Sequence, residues 1–212
     1  MGIELESRRT RKALKTGVSQ IGQDLFNIIG KAGTDRRESE ALMIGIPERN
    51  EAAEYYFNYI GRIKSGDVVQ VLDNQIAETS AFLHGISEEK SLYRYAPNKW
   101  SIRQMWGHVN DAERVFVSRA LWFARKLETA LPSFDQDIAV SAAESDQVPW
   151  ARHVEEFRRV RQASVAFFRS LPFDAWQRHG TASGNPFSVR ALAYIVAGHV
   201  DHHVAVLKDK YL

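Results

Sequence analysis

Four long segments of the chain repeat apolar residues at intervals of three or four, which places these side chains on one face of an α-helix. The predicted helices begin near residues 67, 101, 150 and 188 and end near residues 85, 126, 171 and 207. No segment shows the alternating pattern of a credible strand. Because each apolar stripe must be buried against another element, the sequence predicts an all-α four-helix bundle.

Capping signals set the starts of two of these helices. Asp67 precedes Gln70 by three residues, which is an N-cap pair, and Gly85 is a stop for the same helix. Ser101 and Gln104 form the pattern of a capping box. We therefore expect the first helix to follow residue 67 and the second to begin at residue 101 or 102.

The connections between the helices differ in composition. A cluster of aromatic residues at positions 55–59 predicts a short helix before the first long one, and the polar, acidic segment after Pro132 predicts a long loop up to Gln147. The last connection contains Gly180, Gly184 and Pro186 and cannot continue a helix. We expect residues 132–147 and 173–187 to be loops.

The charge of the chain is unevenly distributed. Residues 1–42 hold eight Lys/Arg and six Asp/Glu, whereas the remaining 170 residues hold twenty of each. We predict that residues 1–42 are an N-terminal extension or a start-site artefact and that residues 43–212 form one domain. Since the domain has no net basic charge, binding to nucleic acid or to an anionic membrane is not expected.

Two absences in the sequence restrict where the protein works and how. The chain has no cysteine, so it fits the reducing cytoplasm and cannot supply its own thiolate as nucleophile or metal ligand. It also has no apolar run of the roughly 18 to 20 residues that span a bilayer. We predict a cytoplasmic protein.

Three of the seven histidines occupy core-facing positions. His199 and His203 are four residues apart on the fourth predicted helix and interrupt its apolar stripe, while His108 lies in the stripe of the second. Imidazoles spaced i, i+4 project one turn apart from one helix face, close enough to share an ion. The same pattern is compatible with two polar residues at the wet end of a bundle.

The other polar residues near these positions have ordinary interpretations. His84, His153 and His179 are expected to be isolated histidines, and His202 is expected to flank the pair. Asp111 and Glu113 are candidates for a carboxylate ligand or base, although charged residues on helices are usually solvated.

Three stretches of the sequence resemble the DinB-like, or YfiT-like, superfamily. They are YAPNKWSIR at residues 95–103, GHVNDAER at 107–114 and SVRALAYIVAGHVDHH at 188–203, and the resemblance extends over about residues 52–212. It implies a bundle in which one histidine of the second helix and two of the fourth hold a divalent ion. Carried over, these ligands are His108, His199 and His203.

The resemblance also implies an activity. Members of this superfamily include thiol-dependent S-transferases, an isomerase that uses a low-molecular-weight thiol, and metal-dependent hydrolases. Three neutral nitrogen ligands leave a position open on a zinc, nickel or similar ion, which lowers the pKa of a bound water or thiol. The predicted function is thus an S-transferase or hydrolase that acts on a small molecule, with an external low-molecular-weight thiol as a second cofactor.

For such an enzyme we expect a pocket between the helices, near the three histidines and roofed by residues 128–147 and 173–187. Trp176, Asp135 and Asp137 are candidates for lining it, although loop aromatics also plug cores and loop aspartates also cap helices.

The alternative is a non-catalytic bundle stabilised by the metal, acting as a dimeric interaction protein. Trp106, Trp122 and Phe123 would then anchor the homodimer interface, or else pack in the core.

Overall fold

The computed structural model describes residues 44–212, so the predictions for residues 1–42 lie outside the described residues. Within this range, short 3-10 turns connect the longer elements. The helices are α1 (Phe57–Ile60), α2 (Val68–His84), α3 (Ile102–Ala124), α4 (Gln136–Ala142), α5 (Trp150–Arg169) and α6 (Val189–Val206), and the strands are β1 (His179–Ala182) and β2 (Asn185–Ser188).

The four long helices α2, α3, α5 and α6 form the bundle that the sequence predicts. Helix α3 packs against α6 and α5, and α2 packs against α5 and α6. The preceding short helix α1 lies against α6. No helix of residues 44–212 has both the length and the apolar character needed to cross a bilayer.

The capping signals are confirmed at both helix starts. The Asp67 carboxylate accepts a hydrogen bond from the Gln70 amide at 3.0 Å. The Ser101 hydroxyl accepts from the Gln104 amide at 3.0 Å, and the Gln104 side chain accepts from the Ser101 amide at 3.1 Å, which completes the capping box. These bonds satisfy amide groups that have no partner inside the helix, and they fix where α2 and α3 begin.

The prediction that residues 132–147 form a loop is wrong in part, because α4 lies within this segment. The Asp135 carboxylate accepts from the amides of Asp137 and Ile138 at 3.0 and 3.1 Å, so it caps α4. Only Val140 of α4 is buried. A helix of two turns with one buried residue has almost no apolar periodicity, which explains why the sequence pattern did not reveal it.

The absence of strands is a second incorrect prediction. Strands β1 and β2 pair antiparallel, from His179 opposite Ser188 to Ala182 opposite Asn185. The turn between them is Ser183-Gly184, and both residues have positive φ angles of 52° and 72°. A two-residue turn with positive φ at both positions matches the twist of a hairpin, so the glycine that breaks a helix here also forms a turn.

The hairpin and the segment before α4 are joined through one residue. The Leu131 amide donates to the Thr181 carbonyl at 2.9 Å, and the Leu131 carbonyl accepts from the Ser183 amide at 3.0 Å. The two connections that were predicted to roof the site are therefore hydrogen-bonded to each other.

Helix α6 is the centre of the core. Its stripe is buried as predicted, with Leu192, Val196 and Leu207 at most 1% exposed. Trp106 and Phe123 of α3 are also buried, which removes them as interface anchors, and Trp122 is half-buried with its indole N–H donated to the Thr129 carbonyl.

The spacing predicts a buried face of α5 that includes Val154, Phe157 and Ser164, and all three are buried, but the face also extends one position further than expected. Val160 and Phe167 are only partly buried, whereas Arg161 and Phe168 are at most 1% exposed. The sequence pattern excluded Arg161 from the stripe because an arginine is rarely buried without a partner. Its partner is described below.

The first described segment is attached to the start of α6. The Glu51 carboxylate accepts from the Ser188 hydroxyl at 2.6 Å and from Arg190, whose Nη1 also donates to the Ile44 carbonyl at 2.9 Å. Burial is the largest single effect on the Glu51 carboxyl and raises its pKa. The hydrogen bonds from Arg190 and Ser188 and the charge of Arg190 together outweigh burial, so the pKa of Glu51 is lowered.

Candidate metal centre

The structure brings His108, His199 and His203 together between α3 and α6. The Nε2 atom of His199 lies 3.2 Å from that of His108 and 3.0 Å from that of His203. One potential ligand atom from each of the three residues lies within 4.8 Å of the others. They converge because α3 and α6 are the most extensively packed pair of helices.

Each of the two helices has a glycine directly before its first histidine of the cluster. A Cβ atom on Gly198 would lie 2.1 Å from the Tyr59 carbonyl oxygen, and one on Gly107 would lie 2.6 Å from the Ser145 hydroxyl. The glycines thus allow other segments to pass directly beside the histidines. The segment beside Gly198 is the backbone of Tyr59, and the Tyr59 ring meets the His199 ring edge-on with 5.2 Å between the ring centroids.

All three imidazoles are nearly excluded from solvent, with 4 to 9% of each residue exposed. Burial lowers the pKa of His108 to about 4, and the charge of Asp137 opposes this shift. The pKa values of His199 and His203 are held well below 6.5, first by burial and then by neighbouring histidines. The three rings are therefore neutral at pH 7, which is the protonation state that binds a metal.

Hydrogen bonding among the rings does not satisfy the cluster. A neutral imidazole has one N–H donor and one lone pair, yet His199 Nε2 faces two other Nε2 atoms. The Nδ1 atoms of His108 and His203 are buried and have no hydrogen-bond partner among residues 44–212. Ligands bonded at about 2.0–2.1 Å in a tetrahedral site lie about 3.4 Å apart, so the observed separations suit a zinc-class ion.

A cavity of about 130 Å³ opens beside His108 and His199. As predicted, both long connections contribute to its wall. The first contributes Phe134, which precedes α4, and Gln136, the first residue of α4, and the second contributes Ser183 of the hairpin turn. The other lining residues come from α3 and from the turn at the start of α1, and they are Ala112, Val115, Phe116, Arg119, Tyr55, Tyr56 and Tyr59.

None of the three residues proposed to line this cavity does so. Trp176 is buried in the core and stacks on Phe168 with 5.6 Å between ring centroids. Asp137 lines a separate cavity of about 300 Å³ beside Trp100, and the neighbouring Gln136 faces the histidines instead. Asp135 caps α4, as loop aspartates commonly do.

The histidines expected to be ordinary are separate from the cluster. His84 and His179 are exposed, and buried His153 lies within hydrogen-bond distance of the Ser145 carbonyl at 3.0 Å. His202 flanks the cluster as expected, because its ring meets that of His203 edge-on with 5.0 Å between centroids and also lies 3.3 Å from Arg62.

Neither candidate carboxylate of α3 reaches the histidines. Asp111 forms a surface pair with Arg114 at 3.2 Å. Glu113 is buried and accepts two hydrogen bonds of 2.8 Å from Arg161 and one of 2.7 Å from Ser164. Its role is therefore a buried ion pair between α3 and α5.

This pair belongs to a larger network that the sequence analysis did not identify. Gln75 of α2 accepts from Arg161 and donates to Asp201 at 2.7 Å and to the Ala197 carbonyl at 3.1 Å. The network therefore connects all four bundle helices. The available signal was spacing, since Gln75, Glu113 and Arg161 each follow an apolar core residue of their own helix by three or four positions.

The fold and the histidine site define a class of proteins, and sequence comparison identifies it. The pattern of the DinB superfamily matches residues 72–207, which include all three histidines, so the chain belongs to the DinB superfamily. No protein of curated function matches the chain.

A solved structure with the same architecture is YfiT from Bacillus subtilis. The two chains superimpose with a TM-score of 0.61 at 14% sequence identity, over 78% of this chain and 91% of YfiT. YfiT is described as a probable metal-dependent hydrolase with an unusual four-helix bundle topology. At this identity the likeness establishes the shared fold.

Proposed function

We propose that this protein is a divalent-metal-dependent enzyme acting on a small molecule, with the ion held by the Nε2 atoms of His108, His199 and His203. The observation that carries the proposal is the convergence of three buried, neutral imidazoles beside a cavity. A buried cluster with unused lone pairs is unfavourable unless a cation completes it.

Three protein ligands leave room on the ion for a fourth ligand, as in catalytic zinc sites. When bound, the ion would supply Lewis acidity toward a water or a thiol. The cavity reaches His108 and His199, so this position is open to a small molecule. An open site supports an enzyme over the non-catalytic dimeric bundle, for which a closed ion is expected.

Two reactions fit this arrangement. Activation of water gives a hydrolase, and the description of YfiT supports this choice. Activation of a thiol gives an S-transferase, and the absence of cysteine from the chain requires the thiol to come from a low-molecular-weight compound. The residues that line the cavity would orient the substrate in both cases.

Elemental analysis tests the metal site. We expect about one divalent ion per chain in protein purified without chelator, and a loss of at least tenfold in affinity in His199→Ala. His153→Ala is a matched control because His153 is also buried but lies outside the cluster. Equal metal content in both variants and the wild type would refute the site.

Cobalt substitution separates the two reactions. Addition of a small thiol to the cobalt protein should produce a thiolate-to-metal absorption band if the S-transferase assignment is correct. Absence of this band together with metal-dependent hydrolysis of ester or amide substrates would support the hydrolase, whereas a cobalt spectrum that no ligand changes would favour the non-catalytic bundle.

A further inference from the structure

Three arginines are buried in the part of the chain that the structure describes, and one of them differs from the others. Arg103 pairs with Glu88, and Arg161 pairs with Glu113 at 2.8 Å. Arg119 is also only 5% exposed, but no carboxylate of residues 44–212 forms an ion pair with it. A buried cation without an anionic partner carries an uncompensated desolvation cost.

Within residues 44–212, the hydrogen-bonding partners of the Arg119 guanidinium are neutral. Its Nη2 atom donates to the Pro132 carbonyl at 3.1 Å and to the Ser183 hydroxyl at 3.0 Å. The Phe116 ring lies 6.0 Å from it, and the Tyr56 hydroxyl is a further neighbour. Burial lowers the pKa of Arg119 and Tyr56 only partly opposes this, so the neutral groups do not replace an anion.

Arg119 and the histidine cluster share one cavity. His108, Ala112, Phe116 and Arg119 all line it, and on α3 they recur at helical spacing. Eleven residues separate His108 from Arg119, which is three turns and about 16 Å along the axis. The Arg119 guanidinium lies 6.0 Å from the ring of Phe116, which is about one turn nearer to His108 on α3.

We infer that Arg119 binds the carboxylate of a small organic acid whose reacting end lies at the three histidines. This inference rests on the proposed function for the reacting end only. A guanidinium is a planar fork of donors that matches a carboxylate. The cavity of about 130 Å³ is large enough for a small organic acid.

The test compares two probes that differ only in charge. Binding of 3-mercaptopropionate and its neutral amide, 3-mercaptopropanamide, would be measured by calorimetry on the zinc-loaded and the metal-free full chain. We expect the acid to bind at least tenfold more tightly than the amide. Arg119→Gln should reduce this ratio to less than about threefold.

Two other variants control for general charge and for structure. Arg114→Gln removes an equal charge from the exposed side of α3 and should keep the acid-over-amide ratio. His153→Ala changes a buried residue that does not line the cavity and should also keep it. If Arg119→Gln does not fold, Arg119→Lys decides, because a compact ammonium should lower the ratio at least threefold.

The outcomes separate this inference from the proposed function. An acid preference that depends on Arg119 in a protein that binds no metal would support the inference and refute the metal-dependent function. Metal binding without any preference for the acid would refute the inference and support the metal-dependent function. The inference is overturned if neither the zinc-loaded nor the metal-free protein prefers the acid, whether both probes bind equally or neither binds. An unchanged acid-over-amide ratio in Arg119→Lys also overturns it.

Discussion

Two polar clusters are buried side by side in this bundle, and their chemistry is opposite. In the network of Glu113, Arg161, Gln75 and Ser164, every charged or amide group has a hydrogen-bonding partner inside the protein. In the cluster of three histidines, the Nε2 atom of His199 faces the Nε2 atoms of both other rings, and two buried Nδ1 atoms have no partner among residues 44–212.

The difference indicates which cluster holds the fold together and which one binds. Burying a polar group is unfavourable unless its hydrogen bonds are replaced, so a closed network can be a purely structural element. A cluster that remains incomplete within the same core needs another component. Burial alone does not distinguish the two clusters, whereas the presence or absence of hydrogen-bonding partners does.

The largest effect should follow from breaking the closed network. Glu113→Ala leaves the Arg161 guanidinium buried without its carboxylate, and we expect a loss of about 3–5 kcal/mol in the free energy of unfolding. Urea denaturation measures this loss. The double variant Glu113→Leu/Arg161→Met should recover most of the stability, and a single variant as stable as wild type would contradict a structural role.

The histidine cluster should behave in the opposite way. In metal-free protein, His199→Ala/His203→Ala should destabilise less than Glu113→Ala, because it removes groups that lack good partners. Added metal should stabilise the wild type by about 2.7 kcal/mol at a free concentration of a hundred times Kd, and the double variant by none of this. Thermal melts with and without zinc compare the two. Equal stabilisation of both proteins would exclude these ligands.

A pH titration of metal-free protein sharpens the comparison further. Burial places the pKa of His108 at about 4 and those of His199 and His203 well below 6.5. The unfolded chain therefore binds more protons below about pH 6.5, and stability falls with acid by up to about 1.4 kcal/mol per pH unit for each histidine. The variant His199→Ala/His203→Ala should have a shallower slope between pH 6.5 and 4 in denaturation experiments, and parallel slopes would contradict these shifts.

The smallest effect is expected from removing residues 1–42. Both clusters lie within residues 44–212, and the contacts of Glu51 with Ser188 and Arg190 remain in the shortened chain. We expect a melting temperature within a few degrees of the full chain and an unchanged metal content. A large decrease would show that residues 1–42 are part of the domain.

The sequence predicted the features that depend on local patterns. The caps at Asp67 and Ser101, the four long helices and the inward position of the three histidines follow from side-chain spacing along a single helix. Helix α4 escaped detection because Val140 is its one buried residue, and the hairpin did because its strands have only four residues each.

Partners on different helices could not be predicted in the same way. Arg161 interrupts the apolar pattern of α5, and only the three-dimensional structure shows that Glu113 and Gln75 are opposite it. The same applies to Arg119, because only the folded structure shows that no carboxylate of residues 44–212 forms an ion pair with it. Residue types along one helix do not encode this information.

The hydrogen bonds of Leu131 have a consequence for the rate at which the site exchanges its contents. They join the segment before α4 to the hairpin turn, and both parts border the cavity above histidines that are at most 9% exposed. A ligand that enters on this side of the cavity therefore has to displace two segments that are hydrogen-bonded to each other. For such entry we expect slow, first-order uptake whose rate stays constant as the concentration of the entering species increases, because displacement of both segments precedes binding.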